Sequence, residues 1–208
     1  MKTIADVYSS SPAPAEFARA YFTHLADTLA RVDSKAIGAL IEEFMRTRSE
    51  GRTVFVAGNG GSAATSSHMV NDIAADVARK ANTDDPFRVI SLTDNVPLMT
   101  AIGNDSGFDL LFVNQLRSVF SRGDRLLLIS ASGNSPNLLR AAEWVKEHSG
   151  RVLSLVGFDG GQLKRVSDLT VHVQTAAGEY GPVEDAHLII NHIISNWLIQ
   201  FLRTSANR

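Results

Sequence analysis

Residues 53–62 read TVFVAGNGGS, a short apolar run that passes through glycines into a polar turn. The first half, TVFVA, is rich in β-branched and aromatic side chains and is bounded by glycine, which is typical of a fully buried strand. The residues after the turn are small and predict a helix. A buried strand that turns directly into a helix is the building unit of an α/β domain.

The same unit recurs along the chain. Apolar runs predict further strands at residues 87–92, 124–129, 151–156 and 169–173, with helical patterns between them. These runs lack a strict alternation of polar and apolar residues, which indicates a parallel sheet covered by helices on both faces. We therefore predict a single α/β domain over residues 1–208, with a doubly wound parallel sheet of five strands.

Helices are predicted at both ends of this sheet domain. Two amphipathic helices precede the first strand, one from Pro14 and one from a cap at Asp33 and Ser34. Residues 1–13 are polar and contain prolines, so we expect a loose lead-in there. The last helix, predicted at residues 183–203, is apolar almost all round, which indicates burial in the core or between subunits.

The composition excludes several classes of protein. The formal net charge is −2 and the basic residues are scattered, which argues against a nucleic-acid-binding surface. The chain has no cysteine, so a metal would have to be held by His, Asp, Glu or amide side chains. No apolar run is long enough to cross a membrane and no signal peptide is recognisable, so we expect a cytoplasmic protein.

Two predicted strand-to-helix turns, GNGGS at 58–62 and SASGNS at 130–135, are rich in Gly, Ser and Asn. A helix N-terminus carries partial positive charge and free N–H groups, which suit a phosphate. One such turn is usually a simple helix cap, but two in one sheet favour a ligand site. Neither turn contains Gly-Lys-Ser/Thr, and Ala63 stands where a third Rossmann glycine would be. We therefore expect a small phosphorylated metabolite and no nucleotide cofactor.

Four further residues can form a chemical cluster. His68 and Asp72 are four residues apart in a predicted helix, so they share one face. Glu184 and His192 are eight residues apart in the last helix, within about 80° of each other. Taken singly, each is more often a core histidine or a solvated charge. Together they would form an acid/base set or a mixed nitrogen and oxygen metal site.

AGNGGSAATSSH (57–68) and ISASGNS (129–135) resemble the two signature loops of the SIS (sugar isomerase) domain family, in particular its phosphoheptose isomerase branch. The resemblance covers most of the chain. It implies the SIS fold and a homotetramer with active sites between subunits. It also implies an isomerase that converts sedoheptulose 7-phosphate to D-glycero-D-manno-heptose 7-phosphate by proton transfer through an enediol.

The resemblance further implies a role for each candidate residue. The catalytic pair would be Asp72 and His192. A Zn²⁺ ion, present in some members, would be held by His68, Asp72, Glu184 and His192. The substrate, a small phosphorylated sugar, would contact the following residues: Asn59, Gly60, Ser62, Asp94, Ser130, Ser132, Ser135 and Glu184.

The chain departs from the family pattern at several positions. Ala131 stands where the family usually has Thr, Asp72 where it has Glu, and Glu184 where metal-containing members have Gln. The entry to the last helix also lacks the family's Asp-Arg pair. Two alternatives therefore stay open: an isomerase of another sugar phosphate, and a non-catalytic SIS-fold protein that binds a partner such as a bacterial replication initiator.

Overall fold

The computed structural model describes residues 1–205. Within that range, five parallel strands form one sheet in the order β2-β1-β3-β4-β5. The predicted doubly wound parallel sheet is therefore confirmed. The strands are β1 (Thr53–Gly58), β2 (Arg88–Ser91), β3 (Arg125–Ser130), β4 (Arg151–Val156) and β5 (Leu169–His172).

Helices connect the strands and flank them in the sequence. Within residues 1–205 they are α1 (Ile4–Ser10), α2 (Pro14–Leu29), α3 (Ser34–Ser49), α4 (Gly61–Val70), α5 (Val77–Ala81), α6 (Val96–Asp105), α7 (Leu111–Val119), α8 (Pro136–Glu147), α9 (Gly161–Val166) and α10 (Tyr180–Ser205). A π-helical turn, Asn71–Asp76, joins α4 to α5. A short 3₁₀ turn, Phe108–Leu110, precedes α7.

The sheet separates two apolar cores. Val54 and Val56 of β1 point into a core shared with α3 and α10, whereas Phe55 points into a core shared with α7 and α8. Successive side chains of a strand face opposite sides of the sheet. Because both sides are buried, the strands need no polar positions, which explains the unbroken apolar runs in the sequence.

The N-terminal region differs from the expected loose lead-in, because residues 4–10 form helix α1. Thr3 and Asp6 form a reciprocal capping box, in which each side chain accepts a hydrogen bond from the backbone N–H of the other. The backbone N–H of Ile4 also donates to Glu179 Oε2 at 2.9 Å. The helix is thus capped locally and attached to the segment that leads into α10.

Helix α10 is buried on one side and exposed on the other. Ile190, Ile194 and Leu198 are buried, while Trp197 remains 44% exposed and stacks on Phe201 at a ring distance of 4.9 Å. The apolar residues around its circumference are therefore not all covered within one chain. None of the helices in residues 1–205 is sufficiently long and apolar to span a membrane.

A buried ion network closes the end of the sheet where the strands begin. The Glu43 carboxylate of α3 accepts hydrogen bonds from Arg125 Nε at 2.8 Å and from Arg151 Nη1 at 3.1 Å. Arg125 and Arg151 are the first residues of β3 and β4. Glu43 and Arg125 are almost completely buried, so each needs the other to compensate its loss of hydration.

Removal of Glu43 should therefore destabilise the fold without changing the polar loops at the carboxyl ends of the strands. We expect Glu43→Ala to lower the free energy of unfolding by about 2 kcal/mol, because it removes the buried carboxylate shared by Arg125 and Arg151 and leaves Arg125 paired with Glu50 alone. Urea denaturation followed by circular dichroism measures the change. The neighbouring exposed residue provides the control, since Glu42→Ala should change stability by less than about 0.5 kcal/mol. Equal effects of Glu43→Ala and Glu42→Ala would contradict the stabilising role of the buried ion network.

Candidate active site

The strand order brings the two polar loops together. β1 lies between β2 and β3, so the chain reverses its direction of winding between β1 and β3. Ligands of doubly wound sheets bind at such a switch point, beyond the carboxyl ends of the strands. The loop after β1 contains Asn59 and Gly60, and the loop after β3 contains residues 131–135. The fold thus places both predicted ligand loops at the same crevice.

A pair of asparagine side chains joins the two loops. Asn59 Nδ2 donates to Asn137 Oδ1 at 3.0 Å, and Asn137 Nδ2 donates back to Asn59 Oδ1 at 2.9 Å. Asn137 lies in the first turn of α8 and is buried. The amide of Asn59 thus holds the two loops in register, and the predicted contact of Asn59 with substrate stays a prediction. Asn137 was not predicted, because its partner lies 78 residues away in the chain.

The four predicted phosphate-binding serines line a single cavity of about 130 Å³. We call this cavity the serine cradle; it is lined by Asn59, Ser62, Ile129, Ser130, Ala131, Ser132, Ser135, Tyr180 and Glu184. No Lys or Arg is among these lining residues. An anion in the cradle would therefore rely on hydroxyl groups and backbone N–H groups at the N-terminal ends of α4 and α8.

Hydrogen bonds fix the serine-rich loop from within. The Ser130 hydroxyl accepts from Gly133 N at 3.0 Å, and the Ser132 hydroxyl accepts from Asn134 N at 3.3 Å. Gly133 has a φ of 64°, and a Cβ at this position would collide with the carbonyl group of Gly160. Ser135 is the N-cap of α8 but makes no side-chain bond to the helix, so its hydroxyl can face a ligand.

A carboxylate stands at the edge of the serine cradle. Glu184 lies in the second turn of α10, and its carboxyl group occupies the space that a side chain on Gly61 would fill. A side chain on Gly61 would therefore displace the Glu184 carboxylate from this position. Gly60, the predicted backbone contact, is the N-cap of α4 with a φ of 54°, but it is not among the residues that line the cradle.

A second polar cluster lies farther along α10. His68 Nε2 lies 3.3 Å from Asp72 Oδ2, His192 Nε2 lies 3.6 Å from the same oxygen, and the two Nε2 atoms are 3.3 Å apart. The structure thus brings together both predicted catalytic residues, Asp72 and His192, with His68. About half of each histidine side chain is exposed to solvent.

The geometry of this cluster fits a metal ion. Two atoms bound tetrahedrally to Zn²⁺ at about 2.0–2.1 Å lie roughly 3.3–3.4 Å apart. The three separations between His68, Asp72 and His192 are close to that value. Three protein ligands with one open position are typical of catalytic zinc sites. These three residues are also a group whose potential ligand atoms all lie within 4.8 Å of one another.

Glu184, the fourth predicted metal ligand, is not part of this group. It precedes His192 by eight residues, which is about 12 Å along the helix axis. A shared ion would require the two side chains to extend toward each other along the helix. The structure therefore brings together three of the four predicted ligands, His68, Asp72 and His192, while Glu184 lines the serine cradle, and its role as a fourth ligand stays a prediction.

Comparison with known proteins agrees with this architecture. Residues 20–157 match the sequence profile of the SIS domain. The chain belongs to the SIS domain family. It is 35% identical over 176 residues to the phosphoheptose isomerase of Chlorobaculum parvum, a match that covers 84% of this chain and 82% of the relative. The phosphoheptose isomerase of Pelobacter propionicus is 34% identical, with coverage of 85% and 88%.

A solved structure leads to the same branch of the SIS family. The phosphoheptose isomerase from Francisella tularensis superposes with a TM-score of 0.80 at 25% sequence identity. The alignment covers 90% of this chain and 99% of that structure. The predicted resemblance to the phosphoheptose isomerase branch of the SIS family is therefore confirmed, and it extends over nearly the whole fold.

Asp72, whose side chain is shorter than the glutamate of the family pattern, lies in an irregular part of the helix. Asp72 is the second residue of the π-helical turn Asn71–Asp76. A π turn closes hydrogen bonds over five residues instead of four, and such turns are frequent at functional sites. Spacing in the sequence predicts that Asp72 and His68 share a face, and the 3.3 Å separation agrees. The π turn itself has no signal in the sequence.

Asp94 was predicted to lie near the sugar. It follows β2 and accepts a short hydrogen bond from the Ser67 hydroxyl of α4. Asn95, and not Asp94, caps α6, since the Asn95 side chain accepts from Leu98 N. Asp94 is exposed but does not line the serine cradle, so a substrate contact at Asp94 stays a prediction.

Glu184 gives a direct test of the serine cradle. Its carboxylate lies beside the predicted anion site, whose lining has no positive side chain, so we expect Glu184→Gln to bind inorganic phosphate about fivefold more tightly, or by about 1 kcal/mol. Isothermal titration calorimetry measures the dissociation constant. Glu147→Gln, at the far end of α8, removes an equal charge and should leave affinity unchanged. Unchanged affinity in Glu184→Gln would place the phosphate elsewhere.

Proposed function

We propose that this SIS protein is an aldose–ketose isomerase that converts sedoheptulose 7-phosphate to D-glycero-D-manno-heptose 7-phosphate. The observation that carries the proposal is the convergence of His68, Asp72 and His192 on one point, two helical turns along α10 from the serine cradle. The phosphoheptose isomerases to which the chain is similar support the choice of substrate.

The reaction needs two proton-transferring groups. One proton leaves C1 of the ketose while the C2 oxygen gains one; the resulting enediol then loses the C1 hydroxyl proton as C2 is protonated. A base must lie over the two carbons and an acid beside the oxygens. Asp72 and His192, 3.6 Å apart, provide these two groups in either order. His68 lies 3.3 Å from Asp72 and keeps the carboxylate oriented.

A divalent cation in the cluster is the second form of the proposal, in which the ion would take the place of direct proton transfer by the atoms that bind it. His68, Asp72 and His192 would hold it, and we propose Zn²⁺ because two imidazoles and one carboxylate form a typical ligand set for that ion. When bound, the ion would polarise the sugar carbonyl as a Lewis acid. The histidines' exposure leaves an open side for the sugar.

The separation of cradle and cluster suits a phosphorylated sugar of this length. Glu184 at the cradle and His192 in the cluster are about 12 Å apart along the helix axis. An extended chain from C1 of a heptulose to the phosphorus on C7 spans roughly 10 Å with single bonds of about 1.5 Å. Phosphate bound in the cradle would thus hold the carbonyl end near the cluster, and its binding energy would contribute to the rate.

We further propose that the protein is a tetramer with active sites between subunits, in the cytoplasm. Ile193, next to His192, is 44% exposed, and it begins an apolar strip that continues through Trp197 to Phe201. Large apolar groups in such a strip favour contact with another subunit. A second copy on this strip would contact α10 at Ile193, the residue that follows His192.

The cluster also separates this proposal from its alternatives. A non-catalytic SIS protein that binds a partner has no need for three converging ligand atoms, so the cluster favours an enzyme. An isomerase of another sugar phosphate would use the same groups. Ala131 and Glu184 depart from the family pattern, and both line the cradle. Turnover of a panel of ketose phosphates therefore distinguishes a sedoheptulose 7-phosphate isomerase from an isomerase of another sugar phosphate.

Turnover tests the proposed chemistry. We expect the purified protein to convert sedoheptulose 7-phosphate to its aldose, followed by NMR. Asp72→Asn and His192→Ala should each lower kcat at least about 100-fold, because each removes a proton-transferring group. Both variants should still be stabilised thermally by phosphate, since neither residue lines the cradle. Asp84→Asn, on the surface, serves as the control. Full turnover in Asp72→Asn would contradict the mechanism.

Assembly is tested at the exposed strip on α10. We expect the wild-type protein to sediment as a tetramer at micromolar concentration. Trp197→Glu should dissociate it, because a charge would replace the largest apolar group of the strip. Gln162→Glu adds the same charge on the exposed side of α9 and should leave the tetramer intact. A monomeric wild-type protein would show that the strip has another role.

A further inference from the structure

Asn191 is a fully buried amide behind the proposed metal centre. It precedes His192 in α10, and its side chain has no exposure to solvent. Its Nδ2 donates a hydrogen bond to Asp72 Oδ2 at 2.7 Å. That oxygen is the one that faces the Nε2 atoms of His68 and His192. Asn191 is therefore a direct neighbour of the carboxylate but is not itself a potential metal ligand.

The orientation of this amide is fixed by charge. If the Asn191 side chain were turned around, its carbonyl oxygen would face the Asp72 carboxylate, and two acceptors would repel each other. The Nδ2 group must therefore point to Asp72. Among residues 1–205, the Asn191 Oδ1 atom then has no hydrogen-bond partner. A buried acceptor without a partner is unfavourable for folding.

An amide that leaves one buried acceptor without a partner needs another reason to be at this position. An apolar side chain would fit the interior of α10 better, since the same face carries Ile190, Ile194 and Leu198. The Asp72 side chain is short and can rotate about its Cα–Cβ and Cβ–Cγ bonds. A carboxylate that binds a metal is commonly fixed by a hydrogen bond from a group outside the metal's own ligands.

We propose that Asn191 is a positioning residue that holds Asp72 Oδ2 between His68 and His192. This inference rests on the metal centre of the proposed function. The oxygen has two lone pairs, so it can accept the amide hydrogen and still bind an ion. Asn191 supplies this bond from α10, while Asn71 Nδ2 contacts the other oxygen, Asp72 Oδ1, at 3.2 Å. The carboxylate is thus held at both oxygens.

Asn191→Leu tests the inference. We expect Zn²⁺ affinity, measured on the metal-free protein by competition with a coloured chelator, to fall at least about tenfold. The melting temperature of the metal-free variant should stay equal to that of the wild type or rise, because the unpartnered amide is gone. If Asn191 had a purely structural role, Zn²⁺ affinity would stay unchanged and the melting temperature would fall. Asn191→Ala tests the same loss without added volume.

His187→Leu is the matched control. His187 is also fully buried in α10. Burial lowers its pKa to about 4, so the ring is neutral. It is not part of the metal-ligand group, so His187→Leu should leave Zn²⁺ affinity unchanged.

The outcomes separate this inference from the proposed function. Weaker Zn²⁺ binding in both Asn191 variants, with unchanged affinity in His187→Leu and no loss of melting temperature in Asn191→Leu, supports the positioning role. Wild-type affinity in the two Asn191 variants overturns the positioning role and leaves the metal centre standing. A wild-type protein that binds no Zn²⁺ overturns the metal centre and the inference with it, while turnover of the sugar phosphate still decides the isomerase.

Discussion

The parallel pairing of β1 with β3 determines where the polar groups of the site lie. The two strands are neighbours although about 70 residues of chain separate them, with Val54 opposite Arg125 and Gly58 opposite Ile129. Parallel strands end at the same edge, so the loops that follow them meet there. The reciprocal hydrogen bonds between Asn59 and Asn137 complete this arrangement. The cradle therefore depends on strand order first and on its serine hydroxyls second.

The fold could be predicted from the sequence because its signals are local. Each strand is an apolar run that ends in glycine or a polar turn, and the observed β4, Arg151–Val156, coincides with the predicted range. The N-terminal helix was missed because its capping box is short and uses Asp6 instead of Glu or Gln. Its anchor, Glu179, lies far away in the chain, and a pattern of neighbouring residues carries no information about such a contact.

The site was predictable to a smaller degree. Spacing of four residues correctly joined His68 to Asp72, and the family resemblance added His192 from another helix. The same resemblance placed Glu184 in the metal group, whereas the structure places its carboxylate at the serine cradle, so that role stays a prediction. Asn137 and Asn191 could not be predicted, since each acts only through a partner on another element.

Helix α10 combines requirements that conflict with one another. One side must pack against the sheet, which favours residues such as Ile190 and Leu198. The side that carries His192 must remain accessible. Trp197 is a large apolar side chain on the exposed surface, which favours contact with another molecule. Polar residues inside so apolar a helix oppose packing, and they persist where function requires them. Asn191, buried yet bonded to Asp72, is the position at which the needs of the site outweigh those of the core.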